Sequence, residues 1–153
     1  MLELQGQGWL QLGELGLAFV LSALIGLERE IRHKSAGLRT YTLVGFAAAL
    51  IMLVSKYGFT NILINDRIVL DPSRIAAQIV TGIGFIGAGA IMRQGTLTYG
   101  TATAASIWNV GIIGGAVGYG YFDIGLTLAV ANVVVLRYLA RFKRKPQQER
   151  DRG

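Results

Sequence analysis

Long stretches without charge are the feature that most constrains the fold of this chain. Residues 75–92 contain no Asp, Glu, Lys or Arg, and neither do residues 94–122. A helix needs about 20 mainly apolar residues to cross a hydrocarbon core of roughly 30 Å. The second stretch is too long for one crossing at about 1.5 Å per residue, and the glycines and tyrosines of residues 118–121 predict a turn within it. Much of the chain is therefore expected to lie in lipid.

Five segments have the length and composition of a membrane crossing. They are residues 9–27, 38–56, 74–92, 99–118 and 121–141. Residues 58–73 are polar and predict a connection, with Pro72 at the entry to the third helix. We predict an all-α integral membrane fold, a bundle of five transmembrane helices within residues 1–141. A basic tail at residues 142–153 follows it.

The distribution of positive charge predicts how this bundle is oriented. With five crossings, twelve of the 15 Lys and Arg residues fall on one side, and the other side holds only Lys56, Arg67 and Arg74. Because cytoplasmic loops carry the excess of positive charge, the N-terminus is predicted outside and the C-terminus inside. Seven basic residues lie from Arg137 to Arg152, directly after an apolar stretch, so anionic lipid is the expected partner there and nucleic acid is not.

The residue types for most kinds of catalysis are missing or scattered. The chain has no Cys and one histidine, His33, which stands in a charged loop and is expected to be solvated. Glu28 and Glu30 are two positions apart, so on a helix they point in different directions and make a poor Mg²⁺ site. No nucleophile, base and acid set is recognisable. We predict no enzymatic activity, no cofactor and no metal site.

A glycine-rich run at residues 82–89 matches the G-x-G-x-x-G pattern of dinucleotide-binding turns. That interpretation fails because the fingerprint needs a preceding strand and an acidic residue about 20 positions later, and the next acid is Asp123. Small residues at this density on a transmembrane helix instead let backbones approach closely, as Gly84 and Ala88 would at i, i+4. Gly111 and Gly115 repeat the spacing on the fourth helix, as do glycines 114 and 118. Packing within one protomer and packing against a second protomer or partner both fit.

Polar side chains at the ends of the first two helices form the densest charge cluster. On a helix, Glu28 would face Arg32 and Glu30 would face Lys34. Such pairs often only solvate a helix end. The functional alternative is a buried polar network at the cytoplasmic mouth of the bundle, and we assign to it Glu28, Arg29, Arg39 and Gln78.

Other polar residues stand inside the apolar segments. Glu14 lies about one turn inside the first helix and either reaches the outer interface or has a function. Gln78, Asn109 and Asn132 are expected to form interhelical hydrogen bonds.

Three sequence blocks together resemble the MgtC/SapB family. They are the loop GLERE followed by AGLRT at residues 26–40, the run VTGIGFIGAGAI at residues 80–91, and TAASIW at residues 103–108. The resemblance covers about residues 15–139. It implies a five-helix membrane domain of the bacterial inner membrane. Family positions that fall in matched motifs here are Glu28, Arg29, Arg39, Gln78, Gly82, Gly84, Phe85, Gly87 and Trp108.

The resemblance also implies what such a protein does. Family members are associated with magnesium limitation and with survival of pathogens inside host cells. They were once described as magnesium transporters, whereas the better-supported role is regulatory and includes inhibition of the proton-translocating ATP synthase. Well-known members continue into an ACT-like domain, which this chain is expected to lack, and Thr101 and Ala102 depart from the family's usual residues.

Two functions are therefore expected from the sequence. The favoured one is a non-enzymatic regulator, expected as a homodimer, whose third and fourth helices contact another membrane protein or a second copy. The residues expected at these contacts are Gly82, Gly84, Phe85, Gly87, Ala88, Gly111, Gly115 and Trp108. The alternative is a small transporter or channel for Mg²⁺ or another ion.

Overall fold

The computed structural model describes residues 8–58, 71 and 73–139, and this part of the chain is mainly helical. Its elements are α1 (Gly8–Ile31), α2 (Leu38–Tyr57), α3 (Ser73–Gly89), β1 (Met92–Gln94), β2 (Leu97–Tyr99), α4 (Thr101–Tyr119) and α5 (Phe122–Val134), which continues into a π-helical turn at Val135–Leu139. The described residues thus contain the five predicted helices. The predicted Pro72 entry, most of the predicted connection at residues 58–73 and the basic tail lie outside the described residues.

Three of the described helices are long and apolar enough to cross a membrane: Gly8–Ile31, Leu38–Tyr57 and Phe122–Leu139. The other two, α3 and α4, are 17 and 19 residues long. Most of α4 is buried, and it packs against all four other helices. A helix surrounded by protein uses small residues so that neighbouring backbones can approach closely, and α4 has buried glycines at 111, 114, 115 and 118.

Successive helices run in opposite directions along one axis. Ser22 of α1 meets Gly45 of α2, Gly87 of α3 meets Ala104 of α4, and Ser106 of α4 meets Asn132 of α5. We call the two ends of the bundle the Arg29 end, where α1 and α3 finish and α2 and α4 begin, and the Lys56 end, where α2 and α4 finish.

A short β-hairpin corrects the predicted ends of the third and fourth helices. From the sequence, the third helix is predicted to run to residue 92 and the fourth to begin at residue 99. In the structure, α3 ends at Gly89, and strands β1 and β2 pair in antiparallel register after it. Gly95 and Gly100 have positive φ, at the hairpin turn and at the start of α4. A Cβ on Gly100 would overlap the carbonyl oxygen of Ala90. The glycine is required there because φ > 0 and this close approach both exclude a side chain.

The predicted turn between the last two helices is confirmed. Gly120 has a φ of 104° and ends α4, and its N–H reaches the carbonyl oxygen of Val117. At the start of α3, Asp71 Oδ1 accepts hydrogen bonds from the backbone N–H and the hydroxyl of Ser73. These bonds, together with the nearby Arg74, lower the pKa of the Asp71 carboxyl.

Candidate functional site: a buried polar group at the Arg29 end

A group of buried polar side chains from four helices lies at the Arg29 end. Arg29 is 3% exposed, although it stands only two residues before α1 ends. Its guanidinium lies 3.6 Å from a carboxylate oxygen of Glu28. Glu28 also pairs with Arg32 one turn later, as the i, i+4 spacing predicted. A buried guanidinium with a nearby carboxylate remains charged at a much lower free-energy cost than an isolated one.

Tyr41 of α2 connects Arg29 to the middle of the bundle. The tyrosine is fully buried, and its hydroxyl donates to the carbonyl oxygen of Thr103 at 3.4 Å. The phenol also interacts electrostatically with the nearby side chains of Arg29 and Ser106. Ser106 donates to Asn132 Oδ1 of α5 at 3.2 Å, which confirms the interhelical bond predicted for Asn132. We call Glu28, Arg29, Tyr41, Thr103, Ser106 and Asn132 the Arg29 group.

Unused hydrogen-bonding capacity remains within this group. Arg29 Nε and Asn132 Nδ2 are buried donors without a partner in the described part of the chain. Deeper in the bundle, the Ser22 hydroxyl is also unpaired and lies against Gly45. Buried polar groups normally have hydrogen-bond partners, so these three atoms are exceptions within the described interior.

The structure brings together only part of the network predicted for the cytoplasmic mouth. Glu28 and Arg29 belong to the Arg29 group, whereas Arg39 is exposed one turn into α2. Gln78 stands eleven residues before α3 ends, about 16 Å along the helix axis. It lines a groove between α2 and α3 instead. Nothing in the sequence assigned Tyr41, Thr103 or Ser106 to this site. Tyr41 follows the Arg39-Thr40 pair directly, which is the one signal that could have suggested it.

Glu30 has a different role from the predicted pairing with Lys34. Its Oε2 accepts a hydrogen bond from the backbone N–H of Leu38 at 2.7 Å, and no Glu30–Lys34 ion pair occurs in the described residues. Gly37 packs so closely that a Cβ there would lie 2.8 Å from the same oxygen. Glu30 therefore satisfies a free N–H at the start of α2, where the helix dipole also favours a negative charge.

A second polar cluster lies at the Lys56 end. The Lys56 ammonium donates to the carbonyl oxygen of Tyr119 at 2.9 Å and lies near the rings of Tyr57 and Tyr119. Glu14 of α1 is 2% exposed and interacts electrostatically with Lys56. Glu14 is thus buried between helices, near the Lys56 end of the bundle. The cluster joins α1, α2 and the last turn of α4.

The predicted contact residues divide into two sets. Gly87, Gly111 and Gly115 are buried: a Cβ on Gly87 would lie 3.3 Å from the Ala104 carbonyl oxygen, and one on Gly111 would overlap Ile83. The other set is exposed and consists of Gly82, Gly84, Phe85, Ala88 and Trp108. Only the first set packs within the described protomer.

Comparison with known proteins places this architecture in a family. The MgtC family model matches residues 15–145. YhiD of Escherichia coli (strain K12), whose full name is "Putative magnesium transporter YhiD", is 49% identical over 120 residues, 78% of this chain and 56% of the relative. "Protein MgtC" of Brucella abortus (strain 2308) is 42% identical over 119 residues, 78% of this chain and 45% of the relative.

"Protein SapB" of Bacillus subtilis (strain 168) is 33% identical over 133 residues, which cover 86% of this chain and 57% of the relative. The chain spans about half the length of the curated relatives it matches. No solved structure matches it. The family match and the three apolar helices support a membrane location. With the family model covering most of its length and relatives of this identity, the chain belongs to the MgtC/SapB family.

Proposed function

We propose that this chain is a non-enzymatic regulator of the bacterial inner membrane, linked to magnesium homeostasis, that acts through contacts between its helices and a membrane partner. The link to magnesium is supported by the family and by the name of the relative YhiD. The family resemblance implies that this partner is the ATP synthase, so contact with the ATP synthase is the first to test.

The observation that carries this proposal is the apolar interior between the two polar clusters. Val110, Ile113 and Val117 of α4 are fully buried, and so is Ala18 of α1. Glycines 114 and 118 of α4 lie against the backbones of Gly45 and Ala49. An ion that passes through a protein needs polar ligands at successive depths to replace its water shell. Ser22 is a single hydroxyl at this level, so the described interior favours a contact protein over a conduit.

Reconstitution into liposomes tests this directly. Purified protein in vesicles that contain a Mg²⁺-sensitive dye is expected to give no more Mg²⁺ entry than protein-free vesicles, with and without a membrane potential. A Mg²⁺ flux that Glu28→Gln abolishes would overturn the regulator proposal, because it would make the Arg29 group part of a pathway. Arg39→Gln is the matched control, since Arg39 carries a charge at the same end but is exposed.

The proposed topology has five crossings, with the N-terminus outside and the C-terminus inside. The asymmetry of positive charge supports it. Since the chain has no cysteine, single cysteines can report the side of each loop. Ser35→Cys is expected to react with an impermeant maleimide only in permeabilised cells, and Gly58→Cys also in intact cells. The reverse pattern would contradict the orientation.

A second candidate is a small transporter for Mg²⁺ or another ion. The buried Arg29 group favours it, since it extends polar groups from the end of α1 to α5 and leaves two donors unpaired. The name of the relative YhiD also refers to magnesium transport. The liposome experiment separates the two candidates.

Purification together with bound proteins tests the regulatory proposal independently of ion flux. The protein purified in native lipid is expected to carry a membrane subunit of the ATP synthase, and ATP-driven proton pumping in inverted vesicles is expected to fall when it is present. Unchanged pumping and no bound subunit would remove the ATP synthase from the proposal.

A further inference from the structure

One stripe of α3 is exposed in the described part of the protein. It consists of Gln78, Gly82, Phe85 and Gly89, at positions i, i+4, i+7 and i+11, and we call it the α3 outer stripe. Phe85 is 83% exposed, and a Cβ on Gly82 or Gly89 would meet nothing within 4 Å. Gln78 is exposed and makes no hydrogen bond within the described residues. The buried side of the same helix is formed by Ile79, Ile83 and Gly87.

A groove of about 310 Å³ runs beside this stripe, between α2 and α3. Its walls combine exposed small residues, Ala47 of α2 and Gly82 of α3, with larger apolar side chains such as Ile51 and Ile86. The helix α3 packs mainly on α4 and has less contact with α2, which leaves the groove open. Small residues on both walls allow another helix to approach at short backbone distance.

Gln78 distinguishes a protein occupant from a lipid one. An acyl chain can fill the apolar part of the groove, but it offers neither a donor nor an acceptor to the amide. Within hydrocarbon, such polar side chains pair across helices, and a pair of this kind contributes about 0.6–2 kcal/mol. The expected occupant therefore carries a hydrogen-bonding group at the depth of Gln78.

We propose that the occupant is a second copy of this chain, bound through the α3 outer stripes of both copies. A two-fold axis along the membrane normal places each residue at the same depth as its copy, so Gln78 faces Gln78. An amide has both a carbonyl acceptor and an NH₂ donor, so two glutamines can pair reciprocally. In this stripe, a glycine lies about one turn before Phe85 and another about one turn after it. The Phe85 ring can therefore pack over the glycines of the partner's stripe. One polar residue on an apolar stripe also fixes the register.

This inference rests on the proposed crossing of the membrane by α3, and it names the helix contact of the proposed regulator. Single cysteines test it because the chain has none of its own. In vesicles at low protein density, Gly82→Cys and Phe85→Cys are expected to give a disulfide-linked dimer on mild oxidation. Val130→Cys of α5, which is 55% exposed, is the matched control and is expected to remain monomeric.

Affinity gives a second measurement. Gln78→Leu is expected to raise the dissociation constant of the dimer about 3- to 30-fold, the equivalent of one interhelical hydrogen bond. Gln78→Asn is expected to retain part of the affinity. Gly82→Leu is expected to prevent dimerisation without unfolding the monomer, since nothing lies within 4 Å of that position.

Three results would overturn the inference: a monomer in native lipid, equal cross-linking at residues 82 and 130, or cross-linking of residue 82 to a different protein. None of them affects the liposome result, so a monomer that passes no Mg²⁺ would remove the dimer and leave the regulator. A Mg²⁺ flux that Glu28→Gln abolishes, in a protein that still cross-links as a dimer through Gly82→Cys, would remove the regulator and leave the dimer.

Discussion

Gly114 of α4 lies against Gly45 of α2, and a Cβ on Gly114 would be 2.9 Å from the carbonyl carbon and 3.0 Å from the Cα of Gly45. A Cβ on Gly45 would in turn overlap the hydroxyl of Ser22 on α1. Three helices therefore meet at a single point with almost no side-chain volume between them. Contacts of this kind stabilise membrane bundles through dispersion forces, since no water is released there.

Replacing Gly114 by alanine tests this contact. Gly114→Ala is expected to destabilise the protein by about 1–3 kcal/mol, because one methyl group in a closely packed region forces backbones apart. Gly84→Ala is the matched control, since a Cβ on Gly84 meets nothing within 4 Å. It is expected to be neutral or stabilising. Unfolding by a denaturing detergent measures both, and equal effects would contradict the close packing described for Gly114.

These glycines show which part of a helix contact can be predicted from sequence and which part cannot. The small-residue spacing predicted close helix contacts, and Gly87, Gly111 and Gly115 are buried. The same spacing at Gly84 and Ala88 faces outward. A small residue indicates that a backbone can be approached, but not which backbone approaches it, because that depends on how each helix is rotated in the bundle. The pattern therefore fitted contacts within and between protomers equally.

Arg29 provides a prediction at the other polar cluster. Arg29→Met is expected to destabilise the protein by about 3 kcal/mol, because it removes a buried charge that pairs with Glu28 and interacts electrostatically with Tyr41. Arg32→Met is the control. Its side chain is 36% exposed although it binds the same Glu28, so its loss is expected to change stability by less than about 1 kcal/mol. A larger loss of stability for Arg32→Met would mean that the position of the Glu28 side chain depends on its ion pair with Arg32.

The Arg29 group was only partly predictable for a physical reason. Charges near a helix end are visible in the sequence, and so is the i, i+4 pairing of Glu28 with Arg32. The neutral members come from three other helices and are far apart in sequence: Tyr41 and Thr103 are 62 positions apart. Their proximity depends on the arrangement of the helices. Gln78 was grouped with Glu28 by motif, although its place on α3 puts it far from the end of α1.

The start of α2 provides a third prediction. Glu30→Ala is expected to destabilise the protein by about 0.5–2 kcal/mol, the usual range for a lost helix cap, because the N–H of Leu38 loses its acceptor. Glu30→Gln retains an oxygen acceptor and is expected to lose less. Lys34→Ala is the control, since Lys34 makes no side-chain hydrogen bond or ion pair in the described residues. Amide exchange at residues 38–41 should increase with Glu30→Ala and remain unchanged with Lys34→Ala.

The cluster at the Lys56 end provides the last prediction, a double-mutant cycle. Glu14 Oε1 and Lys56 Nζ both lie 3.7 Å from the position that a Cβ on Gly120 would occupy. Lys56→Met alone removes a positive charge that interacts with the buried Glu14 side chain and leaves the Tyr119 carbonyl oxygen without its donor, whereas adding Glu14→Gln removes the buried negative charge. The double mutant is therefore expected to be more stable than the two single effects predict, with a coupling of about 0.5–3 kcal/mol.

A second cycle supplies the control for that coupling. Glu14→Gln combined with Arg32→Met joins positions at opposite ends of the bundle, so their effects are expected to add within about 0.5 kcal/mol. Additivity in the Glu14–Lys56 cycle as well would mean that Lys56 serves only the end of α4, through its bond to the Tyr119 carbonyl oxygen. A coupling confined to the Glu14–Lys56 pair would establish that electrostatic attraction between these two residues helps to hold α1 to α2 at this end.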